Sequence, residues 1–153
     1  MNRLIRCAAP LLAALGSVTA ASAATILNAS FELPITPGFA YNPVDPTGGW
    51  TFSGRSGVAS TAFFVPPPPN GTQAAFLQQA GDQFSSLSSI SQTLSGVTLV
   101  PSTLSFYIAL RPGGFAANPI LVTYAGQNLG TFTPASTNFT FVTINFTPTA
   151  AAR

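Results

Sequence analysis

Between Ser102 and Arg111 the chain alternates without a slip: Leu104, Phe106, Ile108 and Leu110 fall on one side, Ser105, Tyr107, Ala109 and Arg111 on the other. A period of two is the pattern of a β-strand with one buried face, because successive Cβ atoms point to opposite sides of a pleated backbone. The stretch from Phe139 to Phe146 repeats it, with Val142, Ile144 and Phe146 on the core face and Phe141, Thr143 and Asn145 opposite. A one-residue slip in either strand would exchange the buried and exposed sets together, so the pattern fixes a register as well as a strand. No segment after residue 23 has helical periodicity.

Turn residues mark out the remaining elements. Short strands are expected at Thr25 to Asn28, Trp50 to Ser53, Ala59 to Val65, Gln73 to Gln78, Ser88 to Leu94, Ile120 to Tyr124 and Leu129 to Phe132. Leu33 to Gly49 holds four prolines and three glycines and reads as a long loop. Pro66 to Pro69, followed by Asn70-Gly71, reads as an exposed turn stiffened by polyproline geometry. Ala125 to Asn128 suits a hairpin loop. About nine short strands at regular spacing predict an all-β, antiparallel sandwich. The 13 phenylalanines separate the chain from disordered sequences, which are poor in aromatics.

The first 23 residues have a separate logic. Arg3 and Arg6 form a basic start, Ala8 to Val18 is a short apolar run, and Ala21-Ser22-Ala23 is a small-x-small cleavage pattern. This reads as a secretion signal over 1–23, too short to span a bilayer, followed by a single domain over 24–153. The expected mature chain is secreted and has no membrane span. The formal charge of +2 is owed to Arg3 and Arg6; after them Arg55, Arg111 and Arg153 balance Glu32, Asp45 and Asp82. The basic isoelectric point thus gives no reason to expect nucleic acid or an anionic membrane as partner. Cys7 leaves with the signal, and residues 24–153 contain no cysteine, histidine or lysine. Packing and strand pairing alone must hold the mature domain.

The same inventory argues against catalysis. The usual bases and nucleophiles are missing. Glycoside hydrolysis needs two facing carboxylates, and only Glu32, Asp45 and Asp82 are present. Asp45 and Asp82 sit among prolines and glycines and read as turn residues bonding the local backbone. The chain is expected not to be an enzyme. Sugar binding needs other parts: an aromatic ring for the apolar face of a pyranose, and amides, hydroxyls or a guanidinium for its hydroxyls. The outward face of the 102–111 strand offers Tyr107 and Arg111, the last strand offers Asn145 and Thr143, and Tyr124 and Tyr41 could add rings. Tyr107, Arg111, Asn145 and Tyr124 are the candidate ligand-binding set; an ordinary exposed cross-strand pair is the simpler reading of Tyr107 and Arg111. Trp50, opening a strand after Gly48-Gly49, is expected to anchor the core. Asn-x-Ser/Thr triplets start at Asn28, Asn70, Asn138 and Asn145, as composition alone would produce in a chain so rich in Asn and Thr.

The order of several short motifs carries a resemblance. Asn28-Ala-Ser-Phe-Glu32 leads through a Pro/Gly-rich loop to Gly49-Trp50. Then come Gly71-Thr-Gln-Ala-Ala-Phe-Leu-Gln78, Ile90-Ser-Gln-Thr93 and Thr103-Leu-Ser-Phe106. Over roughly 26–147 the chain resembles secreted galactose-binding-like jelly rolls, among them carbohydrate-binding modules and the extracellular domains of bacterial proteins with a PEP-CTERM sorting tail. The resemblance implies a jelly-roll sandwich that binds a polysaccharide or cell-surface glycan, or serves in an extracellular matrix. A purely structural surface domain without a ligand is the other reading. The resemblance further implies a structural calcium ion, with Glu32 as one ligand; a capping role for Glu32 is the alternative. Proteins of this kind end on a further strand beside the first one. Here the chain stops soon after Phe146, so either it is a fragment that lacks the closing strand, which would leave an open pairing position near Ile26 to Asn28, or it is an unusually short member; the fragment is the expectation.

Overall fold

A computed structural model describes residues 24–64, 66–78 and 87–149; the expected secretion signal over 1–23, Asp82 and Arg153 lie outside the described residues. Every strand pairing is antiparallel and the only helical element among the described residues is one 3-10 turn, Thr61–Phe63. The strands are β1 (Phe39–Tyr41), β2 (Trp50–Ser53), β3 (Ser56–Ser60), β4 (Gln73–Leu77), β5 (Ser89–Gln92), β6 (Ser102–Ile108), β7 (Ile120–Tyr124), β8 (Gln127–Phe132) and β9 (Thr140–Phe146). They form four small sheets, β1-β3-β4, β2-β5, β6-β9 and β7-β8. The all-β, antiparallel fold class expected from alternation is the one observed. No helix among the described residues is long and apolar enough to cross a membrane.

Strand β3 is the centre of one half. Ser56, Gly57, Val58 and Ala59 are all buried, Ser56 and Val58 fully so, and β1 and β4 pair with the two edges of the strand. The Ser56 hydroxyl accepts the Ser53 N–H at 3.0 Å and reaches the carbonyls of Ser53 and Ser89, both at 2.9 Å. One hydroxyl thereby ties β3 to the end of β2 and to β5, and its burial is fully matched by partners.

The other half is built on the alternating strands. In β6-β9 the pairs run Thr103↔Asn145, Leu104↔Ile144, Ser105↔Thr143, Phe106↔Val142 and Tyr107↔Phe141. Ile108 and Ile144 are buried, Leu104, Phe106, Val142 and Phe146 are half-buried, and Ser105, Tyr107, Thr143 and Asn145 are exposed, as the alternation requires. The apolar face lies against β7-β8: the Phe106 and Phe132 rings meet edge-on at 5.8 Å, and Tyr124 and Phe146 at 5.7 Å. Two sheets stacked through their apolar faces leave the other face of β6-β9 to solvent.

Four local expectations need correction. Thr25 to Asn28 is no strand; Leu27 to Ser30 form a turn in which Asn28 has φ +46°, followed by Phe31 at φ +59°. Left-handed residues cannot continue a ladder, and the Asn28 side chain bonds both the N–H and the carbonyl of Leu33 (3.2 and 2.7 Å), offering that backbone a local alternative. The open pairing position expected beside that strand is therefore not formed there. Second, the expected strand over Ala59 to Val65 instead runs Ser56–Ser60 and gives way to the 3-10 turn, because burial on both faces leaves no alternation to mark its start. Third, β1 interrupts the expected loop 33–49, its three residues lying between Pro37 and Pro43. Fourth, the β7-β8 turn is only Ala125-Gly126, at φ +46° and +84°, so β8 begins at Gln127. A bulge then restores the phase, Val122 facing Gly130 and Thr123 facing Asn128.

Candidate functional site

The solvent face of β6-β9 carries three cross-strand pairs in a row. At one end the Thr103 hydroxyl donates to Asn145 Oδ1 at 2.9 Å; in the middle the Ser105 and Thr143 hydroxyls lie 3.4 Å apart; at the other end the Tyr107 and Phe141 rings stack at 4.9 Å, tilted by 48°. From Thr103 to Tyr107 is four residues, a strip of roughly 13 Å at strand spacing. Tyr107 is 48% exposed and Phe141 57%, so this ring pair is a solvent-facing apolar platform. Beyond the Thr103–Asn145 end the surface dips into a concavity of about 450 Å³, lined by Pro101, Ser102, Thr103, Asn145, Phe146 and Thr147. The site thus combines hydroxyls and one amide with apolar ring and proline surface, and it holds no ionisable group other than the Tyr107 phenol.

The strip unites two of the four candidate ligand residues, Tyr107 and Asn145, on one face. Arg111 lies three residues past the end of β6, with its guanidinium 4.2 Å over the Phe115 ring. Tyr124 packs on Phe146, whose side chain belongs to the apolar face, so its ring lies on the opposite side of β6-β9 from Tyr107. The residues that sequence reasoning missed are Phe141 and Thr103, whose signal was their parity with Asn145 and Ser105.

A second aromatic group lies on the β1-β3-β4 half. Phe39 meets Tyr41 at 5.6 Å and Phe63 at 5.4 Å, and Tyr41 meets Phe76 at 5.3 Å, every pair near 90°. Arg55 covers Tyr41 at 5.9 Å, and the Tyr41 hydroxyl donates to Gln78 Oε1 at 2.7 Å. Neighbouring rings at right angles present edges as well as faces, whereas the Tyr107–Phe141 pair is tilted by 48°.

Glu32 sits elsewhere, in a polar clamp on the N-terminal turn. Its Oε1 accepts the N–H groups of Thr72 (2.8 Å) and Gln73 (3.0 Å), and its Oε2 accepts the Thr72 hydroxyl (2.8 Å). The Gln73 amide returns the grip: its Oε1 takes the Thr36 N–H at 2.6 Å, and its Nε2 donates to the carbonyls of Phe31 (2.8 Å) and Pro34 (3.1 Å). Gln92 bonds both backbone groups of Leu27, at 2.8 and 2.9 Å. The Trp50 indole donates to the Asn28 carbonyl at 2.9 Å, with the Phe31 ring 4.9 Å away. Half-buried Trp50 therefore anchors the turn. Asp45 accepts the N–H groups of Thr47 and Trp50 at 2.9 Å each and the Thr47 hydroxyl at 2.8 Å, the turn role its sequence context indicated. Motifs far apart in the chain, Asn28–Glu32, Gly49-Trp50, Thr72-Gln73 and Gln92, are thus the parts of one hydrogen-bonded junction.

The carboxylate of Glu32 is dressed with N–H and O–H donors, the geometry of a cap. Calcium requires six to eight oxygens and more than one carboxylate as a rule, and no group of three acidic, histidine or cysteine side chains is gathered among the described residues. The donor set does not fit a calcium cage.

No family of known proteins, no curated protein and no solved structure matches this chain.

The two carboxylates make the junction acid-sensitive. Burial raises the Glu32 pKa, but the bonds from the Thr72 hydroxyl and the Thr72 and Gln73 N–H groups outweigh it and hold the carboxyl below its ordinary value. Burial opposes Asp45 likewise, and is overcome by the N–H groups of Trp50 and Thr47, the Thr47 hydroxyl and the Asn28 side chain. A folded-state pKa below the unfolded one gives stability that is present above the unfolded value, about 4 for both groups, and is lost as pH falls through the folded value. Stability to urea is expected to be flat across neutrality and to fall below about pH 4, with a shallower fall in the Glu32→Gln/Asp45→Asn double variant. An equally steep acid fall in that variant would reject the assignment.

Proposed function

We propose that this chain is a secreted, non-catalytic module of the galactose-binding-like jelly-roll kind, which binds a polysaccharide or cell-surface glycan along the exposed face of β6-β9. One observation carries the reading: ring pair, hydroxyl pair and amide–hydroxyl pair succeed one another on one exposed strand face, with a shallow, open depression at its polar end. A pyranose stacks its C–H face on a ring and satisfies its hydroxyls with amides and hydroxyls, the groups this strip supplies in that order. Tyr107, Phe141, Thr143 and Asn145 are the contact residues of the proposal; Arg111 and Tyr124 are outside it. A glycan array on the folded mature domain tests it, flat signals against every polysaccharide rejecting the reading.

Replacing Tyr107 by Ala is expected to weaken the selected glycan's binding by about 1–3 kcal/mol, as for an anchor residue. The folding midpoint should hardly move, since the ring is half exposed. Calorimetric titration of parent and variant checks both. Unchanged affinity would move the site to the Phe39–Tyr41–Phe63 group.

The second reading, a structural surface domain without a ligand, as in proteins with a C-terminal sorting tail, is supported by the junction around Glu32 and Gln73. There Glu32, Gln73, Gln92 and Trp50 bond backbone groups of the chain itself. Calcium at Glu32 belongs to the resemblance alone. A melting midpoint raised by Ca2+ and returned by a chelator would carry it, against the cap that the hydrogen bonds support.

A further inference from the structure

The bend that ends the tetraproline run has a chemistry that neither the glycan strip nor the junction uses. Asn70-Gly71 is the one Asn-Gly step in the chain. Both residues are exposed, Gly71 has φ +79°, and among the described residues neither the Asn70 amide nor the Gly71 N–H is engaged in a hydrogen bond. The other asparagines among the described residues differ. Asn28 is fastened to Leu33, and Asn42 and Asn118 precede prolines, whose nitrogen carries no proton. Asn128 accepts the Gly130 N–H at 2.9 Å and precedes Leu129, while Asn138 and Asn145 precede phenylalanines. Only at Gly71 is the following nitrogen flanked by no side chain.

We propose that Asn70 is a site of spontaneous covalent modification that loosens the junction held by Glu32. The Gly71 backbone nitrogen, giving up its proton to hydroxide, attacks the Asn70 side-chain carbonyl carbon. The new C–N bond closes a five-membered succinimide, and the amide nitrogen leaves with a proton as ammonia. Water then adds to one of the two ring carbonyls. Opening at the side-chain carbonyl leaves aspartate, and opening at the main-chain carbonyl leaves isoaspartate, with the backbone rerouted through the β-carbon. The balance is one ammonia lost and one water gained, and a neutral amide becomes a carboxylate.

The position gives the reaction its consequence. A Cβ on Gly71 would run into the Glu32 carboxylate, so Glu32 lies directly against this bend, and the next two N–H groups, of Thr72 and Gln73, are the ones it accepts. A new negative charge at position 70 repels Glu32. In the isoaspartate form an extra backbone carbon also displaces the two N–H groups from their shared acceptor. None of this chemistry depends on a ligand, so it stands or falls apart from the glycan reading.

Ageing the folded protein in mildly alkaline buffer, with peptide mapping by mass spectrometry and urea midpoints on the same samples, decides it. Asn70 is expected to convert several-fold faster than any other asparagine, with the midpoint falling as the converted fraction grows, while Asn70→Gln keeps its mass and its midpoint. An Asn70→Asp variant, with the charge but not the extra carbon, should start at a midpoint between fresh and fully converted protein. Conversion of Asn70 no faster than of Asn138, or conversion that leaves the midpoint unchanged, overturns the proposal.

Discussion

Gln73→Leu is expected to lose about 3 kcal/mol or more of stability, although leucine fills nearly the same space. Gln73 is 4% exposed and its amide makes three bonds; leucine leaves the Thr36 N–H and the Phe31 carbonyl without a partner, while the Pro34 carbonyl keeps only the Thr36 hydroxyl. An unsatisfied buried group costs about 1–3 kcal/mol, which outweighs the gain from burying extra methyl surface. Gln73→Glu separates shape from donors: it keeps an acceptor for Thr36 but turns a carboxylate toward two carbonyls. It should be at least as destabilising as leucine. Urea unfolding of the three proteins at neutral pH measures this, and a leucine variant within about 0.5 kcal/mol of the parent would show that the junction does not hold the fold.

Gly57→Ala is the second large effect, expected to cost about 3 kcal/mol, at the upper end for overpacking. Gly57 lies mid-strand in β3, where an added Cβ would run into the Ala40 carbonyl oxygen and come within 2.9 Å of Phe76 Cζ. A ring can turn aside, but the Ala40 carbonyl belongs to the backbone of β1, which must shift off β3 and lose its pairing. Gly38→Ala is the control: its Cβ would meet only the edge of the Phe63 ring at 3.9 Å, and the change should stay within about 0.5 kcal/mol. Equal midpoints for the two variants would contradict the packing described for β3.

The half of the molecule that carries the candidate strip was legible in the sequence because one face is buried and the other wet. The strands around Leu104–Ile108 and Val142–Phe146 obey parity, which put Tyr107 and Asn145 each on the outward face of its own strand; the pairing of β6 with β9 then brings them onto one face. Strand ends were legible where proline or glycine stands beside them, as at Trp50 and Ile120. Parity says nothing about a strand covered on both faces, and β3 opens with Ser56-Gly57, which reads as a turn until β1 and β4 are placed around it. Nor does it say which sheet stacks on which: Tyr124 was grouped with Tyr107 although stacking on Phe146 carries it to the other side. Arg111 obeys the alternation, but the ladder stops at Ile108 and the Leu110 N–H turns to the Ser136 carbonyl. The junction was visible only as an order of motifs. The bonds between its motifs join residues 22 to 65 positions apart, a relation no local pattern encodes.

That separation also sets an order of assembly. The β7-β8 hairpin closes across two residues and can form on the microsecond scale by itself. The N-terminal turn can make its Asn28–Leu33 bonds early, but it has nowhere to dock until β4 and β5 have brought Thr72, Gln73 and Gln92 together. Loop-closure entropy must be met before those contacts return anything, so the earliest part of the domain in sequence is among the last to be fixed in space. Weakening its grip is accordingly expected to speed the opening of the folded molecule more than it slows its formation.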